Sequence, residues 1–191
     1  MDFKVDIIET ERLILRPFTM DDKEDYVDFR SRPELYTYMI DFSNNSREEH
    51  IAKLTSIVNG YEDQKNPSLV WAVELKENHK VIGKTSIEHT YPKHDRIEIG
   101  WSLHPDYQGK GYASEFGRAF LNYLFSYDCV HRIHGFIWEG NVASRKLCEK
   151  LGFKLEGINV EARKKNGKYY DVWNLGLLKQ DWITLEKERN K

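Results

Sequence analysis

Glu98-Ile-Gly-Trp-Ser-Leu-His-Pro-Asp-Tyr-Gln-Gly-Lys-Gly-Tyr-Ala113 is the stretch that decides how this chain folds. Its first half alternates. Ile97, Ile99, Trp101 and Leu103 share one face of a strand, and Glu98, Gly100 and Ser102 share the other. Pro105 ends the ladder because it has no N–H to donate. Gly109 and Gly111 bracket Lys110, and an amphipathic helix follows, with Ala113, Phe116, Gly117, Phe120, Leu121 and Leu124 on one stripe. Strand, glycine loop and helix together gather free backbone N–H groups at a helix N-terminus, where an anion can be held. A phosphate-bearing ligand is therefore expected at this junction.

Outward from that stretch, the N-terminal side reads as an antiparallel meander. Leu69 to Leu75, where Leu69, Trp71, Val73 and Leu75 alternate with Val70, Ala72 and Glu74, and Val81 to Glu88 are strands by pattern, joined to each other and to the deciding strand by short polar turns at Lys76–Lys80 and Tyr91–Asp95. Before them, Arg12 to Pro17 reads as a short strand. Thr19 caps a helix running to about Arg30, and Ser46 with Glu49 has the capping-box spacing that opens another. The segment Tyr36 to Ile40 has no assignable pattern.

On the C-terminal side, the helix after Gly111 leads to a strand over Arg132 to Trp138. A long crossover helix between two strands is the mark of parallel pairing. Asn141 caps a further helix that Gly152 closes. Lys154 to Lys165 and Lys168 to Leu178 flank Asn166-Gly167, a strong hairpin signal. The expected fold is α/β (α+β): a mixed, mostly antiparallel sheet with one splayed parallel pair, about four flanking helices and a terminal hairpin. One domain over residues 1–191 is the simplest organisation.

Composition narrows the classes of function. An apolar share of 40% in 191 residues supports a packed core, and a formal net charge of -2 gives no basic field for nucleic acid or an anionic membrane. Cys129 and Cys148 are too few for a disulfide framework or a zinc site. His131 and His134 fall on opposite strand faces, so no metal is expected. With neither a signal-peptide core nor a membrane-length apolar run, a soluble cytoplasmic protein is the expectation.

Gly-x-Gly alone is weak evidence. Neither the phosphate-loop pattern nor the third glycine of the dinucleotide fingerprint is present. Gln108-Gly-Lys-Gly111-Tyr-Ala113 does fit Q/R-x-x-G-x-G/A. With Glu9-Thr-Glu-Arg-Leu-Ile-Leu-Arg16, Val81-Ile-Gly83, Asn141-Val-Ala-Ser144, Glu149-Lys-Leu-Gly-Phe153 and Asn166-Gly-Lys-Tyr-Tyr-Asp171, the chain resembles the GNAT superfamily of N-acetyltransferases. The likeness is greatest to its ribosomal-protein alanine N-acetyltransferase branch.

The resemblance implies acetyl-CoA as cofactor. Its pyrophosphate would lie on Gln108, Gly109, Lys110, Gly111, Tyr112 and Ala113, with Ser114 just inside the helix. The pantetheine arm would pair with backbone groups of Trp101, Ser102 and Leu103. Asn141 and Ser144 would also reach the cofactor, joined by Leu147 and Lys150. The implied reaction is direct attack of an amine on the thioester. Glu98 is the candidate base, with Glu88 as rival, set against the plain reading of a solvated strand carboxylate. Many relatives place a tyrosine acid where this chain has Cys148. Ser144 is the preferred acid, Cys148 the second, and Tyr112 and Tyr170 further donors.

The acceptor would be a small-molecule or peptide amine. Asp21, Asp22, Glu24, Asp25 and Asp28 beside Tyr36, Tyr38 and Phe42 would favour a cationic one, although acids in a first helical turn also serve the helix dipole. A homodimer is compatible with this reading, and no nucleic-acid or membrane partner is expected. The alternative function is a CoA-binding sensor or interaction module of the same fold with little catalysis.

Overall fold

The computed structural model describes residues 1–40, 42, 44–63 and 68–190. In chain order they form β1 (Ile8–Glu9), β2 (Leu13–Arg16), α1 (Lys23–Arg30), α2 (Arg47–Gly60), β3 (Val70–Leu75), β4 (Lys80–Tyr91), β5 (Arg96–Leu103), α3 (Tyr112–Ser126), β6 (Arg132–Trp138), α4 (Val142–Lys150), β7 (Lys154–Lys165), β8 (Lys168–Leu178) and α5 (Lys179–Arg189). The strands lie in one sheet in the order β1-β2-β3-β4-β5-β6-β8-β7. β5 and β6 run parallel, Arg96 opposite Arg132, Ile97 opposite Ile133 and Glu98 opposite His134. The registers of β1–β2, β2–β3, β3–β4, β6–β8 and β7–β8 are antiparallel. The mixed sheet with its one parallel pair and terminal hairpin is thus the expected fold.

Two compact units divide the chain. The first holds Asp2–Ile87 and Gly100–Phe120, and the second holds Glu88–Ile99 and the chain from Leu121 onward. In the first, Leu13 and Leu15 point inward from β2, and Phe18, Tyr26, Leu54, Ile57, Ala72 and Val81 form a buried cluster. Trp71 packs edge-on against Phe120 at 5.0 Å between centroids. β3 is buried on both faces, not one, and even its Glu74 is enclosed. Arg16 Nε donates to that carboxylate, and His79 Nδ1 lies 2.8 Å from it, so the buried charge is paired.

Thr19 opens only a short 3-10 turn over Met20–Asp22, and α1 starts after it with Asp22 as its cap, whereas the second capping box and the hairpin turn lie where the sequence puts them. Ser46 N–H donates to Glu49 and Glu49 N–H to the Ser46 hydroxyl, opening α2. Asn166 and Gly167, at φ 50° and 79°, turn the β7–β8 hairpin. Two elements went unforeseen. β1 is only two residues long, and α5 carries one fully enclosed apolar side chain, Trp182, whose indole N–H donates to Asn122.

The acidic residues of the N-terminal helices are bound within the fold. Asp22 takes both terminal nitrogens of Arg16, Asp25 accepts the Val81 N–H, and Glu24 pairs with Arg47. Asp28 pairs with Lys80 at 3.0 Å and with Arg32 at 2.6 Å. Four of the five carboxylates that suggested a cationic acceptor therefore have partners already.

Candidate active site

Within the first unit, β5 runs into the glycine loop. A Cβ on Gly83 would lie 2.5 Å from the Ser102 carbonyl oxygen, so Ser102 turns that group toward β4. Backbone polar groups alternate sides along a strand, and those of Trp101 and Leu103 therefore face the other way. The Leu103 carbonyl is taken by the Gln108 side-chain amide at 3.0 Å, which braces the loop back onto the strand and leaves the Leu103 N–H on that side. The Ser102 hydroxyl is buried with no hydrogen-bond partner among the described residues. A buried orphan donor on the strand expected to bind pantetheine is the kind of group that a ligand satisfies.

His104 and the turn Pro105–Tyr107 set the loop's entry. His104 is buried, its backbone N–H donates to the Ile82 carbonyl, and its Nδ1 accepts the Asp106 N–H. Its Nε2 lies 3.3 Å from Asp28. Beyond it, Gly109 and Gly111 sit at φ 75° and 83°, where a side chain is strained. Nothing lies within 4 Å of the space a Cβ on Gly109 would fill. The Glu115 N–H donates to the Gly111 carbonyl; from Gly109 to Ser114, no backbone acceptor takes an N–H among the described residues. Exposed from Gly109 to Gly111 and half-buried from Tyr112 to Ser114, this row of donors at the start of a 15-residue helix fits a pyrophosphate.

The second unit holds the candidate base. Glu98 and His134 form the last parallel register pair, with Glu98 Oε2 3.7 Å from His134 Nε2. Burial raises the Glu98 carboxyl above its ordinary range; Glu88 pushes the same way, while His89, Arg163 and a Tyr91 hydrogen bond pull it back. Burial lowers the His134 imidazole, helped by the charges of Arg96 and Arg132, against a hydrogen bond to the Ile97 backbone and the charge of Glu156. Tyr91 lies against the His134 ring at 5.6 Å, and the Arg96 guanidinium covers Tyr91 at 4.3 Å. Glu98 is thus a partly desolvated carboxylate beside a neutral imidazole, an environment that moves a carboxylate toward the working range of a base.

Also in the second unit, the Asn141 side chain accepts the Ser144 N–H at 3.1 Å and caps α4. Ser144 is half-buried in the first turn, Leu147 is half-buried and Lys150 exposed. Cys148 is buried, and burial pushes its thiol up to about 12. Tyr170 packs on Trp138 at 5.7 Å. In the first unit, Tyr112 lies under the Arg12 guanidinium at 4.4 Å. Sequence reading passed over Arg12, Tyr91 and His134 as site residues. The arginine lay in a quoted motif, yet its partner is a hundred residues away. Among the described residues, no cluster of three or more His, Cys, Asp or Glu could hold a metal, and no helix is long and apolar enough to cross a membrane.

A β-strand that ends in an open glycine loop at a helix start, with a parallel return strand, is the framework of acyltransferases that use coenzyme A thioesters. The chain belongs to the acetyltransferase (GNAT) domain family, whose model matches residues 12–154. It is 31% identical over 166 residues to the "Uncharacterized N-acetyltransferase YoaA" of Bacillus subtilis (strain 168), covering 87% of this chain and 93% of that protein. Its fold matches the crystal structure of a GNAT-family acetyltransferase from Bacillus anthracis, with a TM-score of 0.79, 26% identity, and 92% and 99% of the two chains covered. It also matches the ribosomal-protein-S5-alanine acetyltransferase from Vibrio fischeri, with a TM-score of 0.78, 25% identity, and 93% and 98% covered. The chain is an acetyl-CoA-dependent N-acetyltransferase.

Proposed function

We propose that residues 1–191 form one N-acetyltransferase domain that moves the acetyl group of acetyl-CoA to a primary amine, with Glu98 as base and Ser144 as acid. Glu98 carries this reading. A carboxylate raised by burial, at the point where the parallel register ends, suits removal of a proton from an incoming ammonium, directly or through a water. The neutral amine attacks the thioester carbonyl, whose developing negative charge the Leu103 N–H stabilises. As the carbon–sulfur bond breaks, the Ser144 hydroxyl protonates the departing thiolate, and the second proton, shed by the attacking nitrogen as it becomes an amide, restores the serine hydroxyl. Cys148 suits that role less well, because its thiol is buried, whereas the Ser144 side chain is only half-buried.

The bound cofactor supplies the activated acetyl group. The N–H groups from Gly109 to Ser114 hold its pyrophosphate, and Trp101 and Leu103 pair with its pantetheine. Asn141, Ser144, Leu147 and Lys150 add contacts along it. For the acceptor, likeness to the ribosomal-protein-S5-alanine acetyltransferase from Vibrio fischeri favours an amine of a protein or peptide. The internal pairing of the helix α1 carboxylates weakens the case for a polycation.

Release of free CoA thiol, followed over a panel of peptides, amino-acid amides and polyamines, tests the reading. Turnover with a peptide N-terminus and none with a polyamine is expected. Tight acetyl-CoA binding without turnover of any acceptor would favour a sensor module instead.

A further inference from the structure

We propose that Arg12 and Glu115 form a latch that aims the Gly111 N–H at the cofactor's pyrophosphate, making Arg12 a positioning residue for acetyl-CoA. The proposal rests on the assignment of the glycine loop as the cofactor seat.

Arg12 Nη1 donates to the Lys110 carbonyl at 3.2 Å. In a trans peptide, the carbonyl of one residue and the N–H of the next point in opposite directions, and this chain has no cis bond among its described residues. Pinning the Lys110 carbonyl to Arg12 therefore turns the Gly111 N–H to the opposite side, into the free-donor row. Without such a tether, a loop with two glycines at positive φ has little to hold that peptide plane.

Arg12 is itself fixed. Its Nε donates to Glu115 Oε2 at 2.7 Å, and its backbone N–H donates to Oε1 at 2.8 Å. The Thr10 hydroxyl donates to the same Oε1 at 2.6 Å. Burial pushes the Glu115 carboxyl up, but the bonds from Thr10 and Arg12 outweigh it and leave the group below its usual range. The guanidinium also covers the Tyr112 ring. A Cβ on Gly111 would come 3.4 Å from Arg12 Nη2, so the arginine backs the loop closely on one side, while the Gly109 side stays open.

The latch has an electrostatic side as well. A carboxylate in the first turn of α3 suits the helix dipole but opposes a bound pyrophosphate. Pairing with Arg12 removes that opposition while Glu115 keeps its structural work.

Calorimetric titration of CoA into the full-length protein separates this latch from simple attraction. Arg12→Met is expected to weaken CoA binding by roughly tenfold, as for one lost charge-assisted hydrogen bond, with kcat at saturating acetyl-CoA changed less than twofold. Glu115→Gln is the deciding variant. It adds net positive charge, so simple attraction predicts tighter binding, whereas the latch predicts binding weaker by several-fold. The double variant should bind no more weakly than Arg12→Met alone. Glu115→Gln that binds as tightly as wild type, or tighter, overturns the latch. Should Arg12→Met fail to fold, Glu115→Gln and Arg12→Lys carry the same comparison, the lysine being expected not to restore binding. Wild-type protein that takes up no CoA would instead overturn the cofactor seat itself.

Discussion

Glu98 stands directly opposite His134 where the parallel register of β5 and β6 ends, its carboxylate 3.7 Å from the imidazole Nε2. Both groups are shifted toward neutrality, chiefly by burial: the carboxyl up and the imidazole down. A base in this setting takes up a proton more readily than a solvated glutamate, and the neighbouring ring places no full positive charge beside it at neutral pH.

Glu98→Gln should therefore cost roughly 10²–10⁴ in kcat/KM, the usual contribution of a general base. The wild-type rate should fall as pH drops through a pKa above the normal carboxylate range, and this acid limb should vanish in the variant. Retention of the limb would point to another base, with Glu88 the next to test.

The same shift makes a stability prediction of opposite sign. A carboxyl raised in the folded state favours its protonated form there, so its contribution is fully present below the unfolded pKa and is lost as pH rises through the folded one. Glu98→Gln should raise the melting temperature at pH 8 and leave it nearly unchanged at pH 4. Thermal unfolding at the two pH values checks this, and an equal effect at both would show that the charge is not what matters.

Ser144→Ala should lower kcat by at least tenfold with less than a threefold change in CoA affinity, if the hydroxyl is the acid. Cys148→Ala should leave kcat within about twofold and cost about 1 kcal/mol in stability through the buried sulfur it removes. Steady-state kinetics and urea unfolding of the two variants assign the proton donor. A large kcat loss in Cys148→Ala would reverse the choice.

Gly111→Trp should abolish CoA binding. The position needs φ 83°, which costs an L-residue about 1–2 kcal/mol, and the indole would crowd the donor row. Binding measured on variant protein with a normal far-ultraviolet spectrum is the check; unchanged affinity would remove the loop from the cofactor seat.

Asn141 separates a cap from a ligand contact. Asn141→Ala removes the acceptor for the Ser144 N–H and should cost about 1 kcal/mol. Asn141→Asp keeps that acceptor and should hold stability within a few tenths of a kcal/mol. It should still weaken CoA binding by bringing a negative charge toward a negative ligand. Denaturant midpoints and CoA titrations of the pair distinguish the two roles.

What could be read in advance was local. Glu98 to Ala113 shows its strand, loop and helix because alternation, Pro105 and the two glycines act within a few residues. Ser46 with Glu49, and Asn166-Gly167, are equally short-range, since each satisfies or bends the backbone on the spot. The helix between two strands was enough to imply the parallel pair. By contrast, α5 has few apolar residues to mark it and is anchored by Trp182 on Asn122, sixty residues earlier. Alternation along β3 does not reveal that Glu74 is buried; only Arg16 and His79, brought in by the fold, let that carboxylate be enclosed.

The glycine loop of residues 108–114 belongs to both levels. Its sequence by itself determined that the backbone there is open, donor-rich and set at a helix start, because only glycine accepts those φ values without strain. Which way its donors are held was decided by the tertiary structure. Arg12 and Glu115 are 103 residues apart, and no local pattern can bring their charges together. Glu98 shows the same division: its place on a strand face was legible, but its shifted proton affinity comes from the desolvation and neighbouring charges that folding supplies.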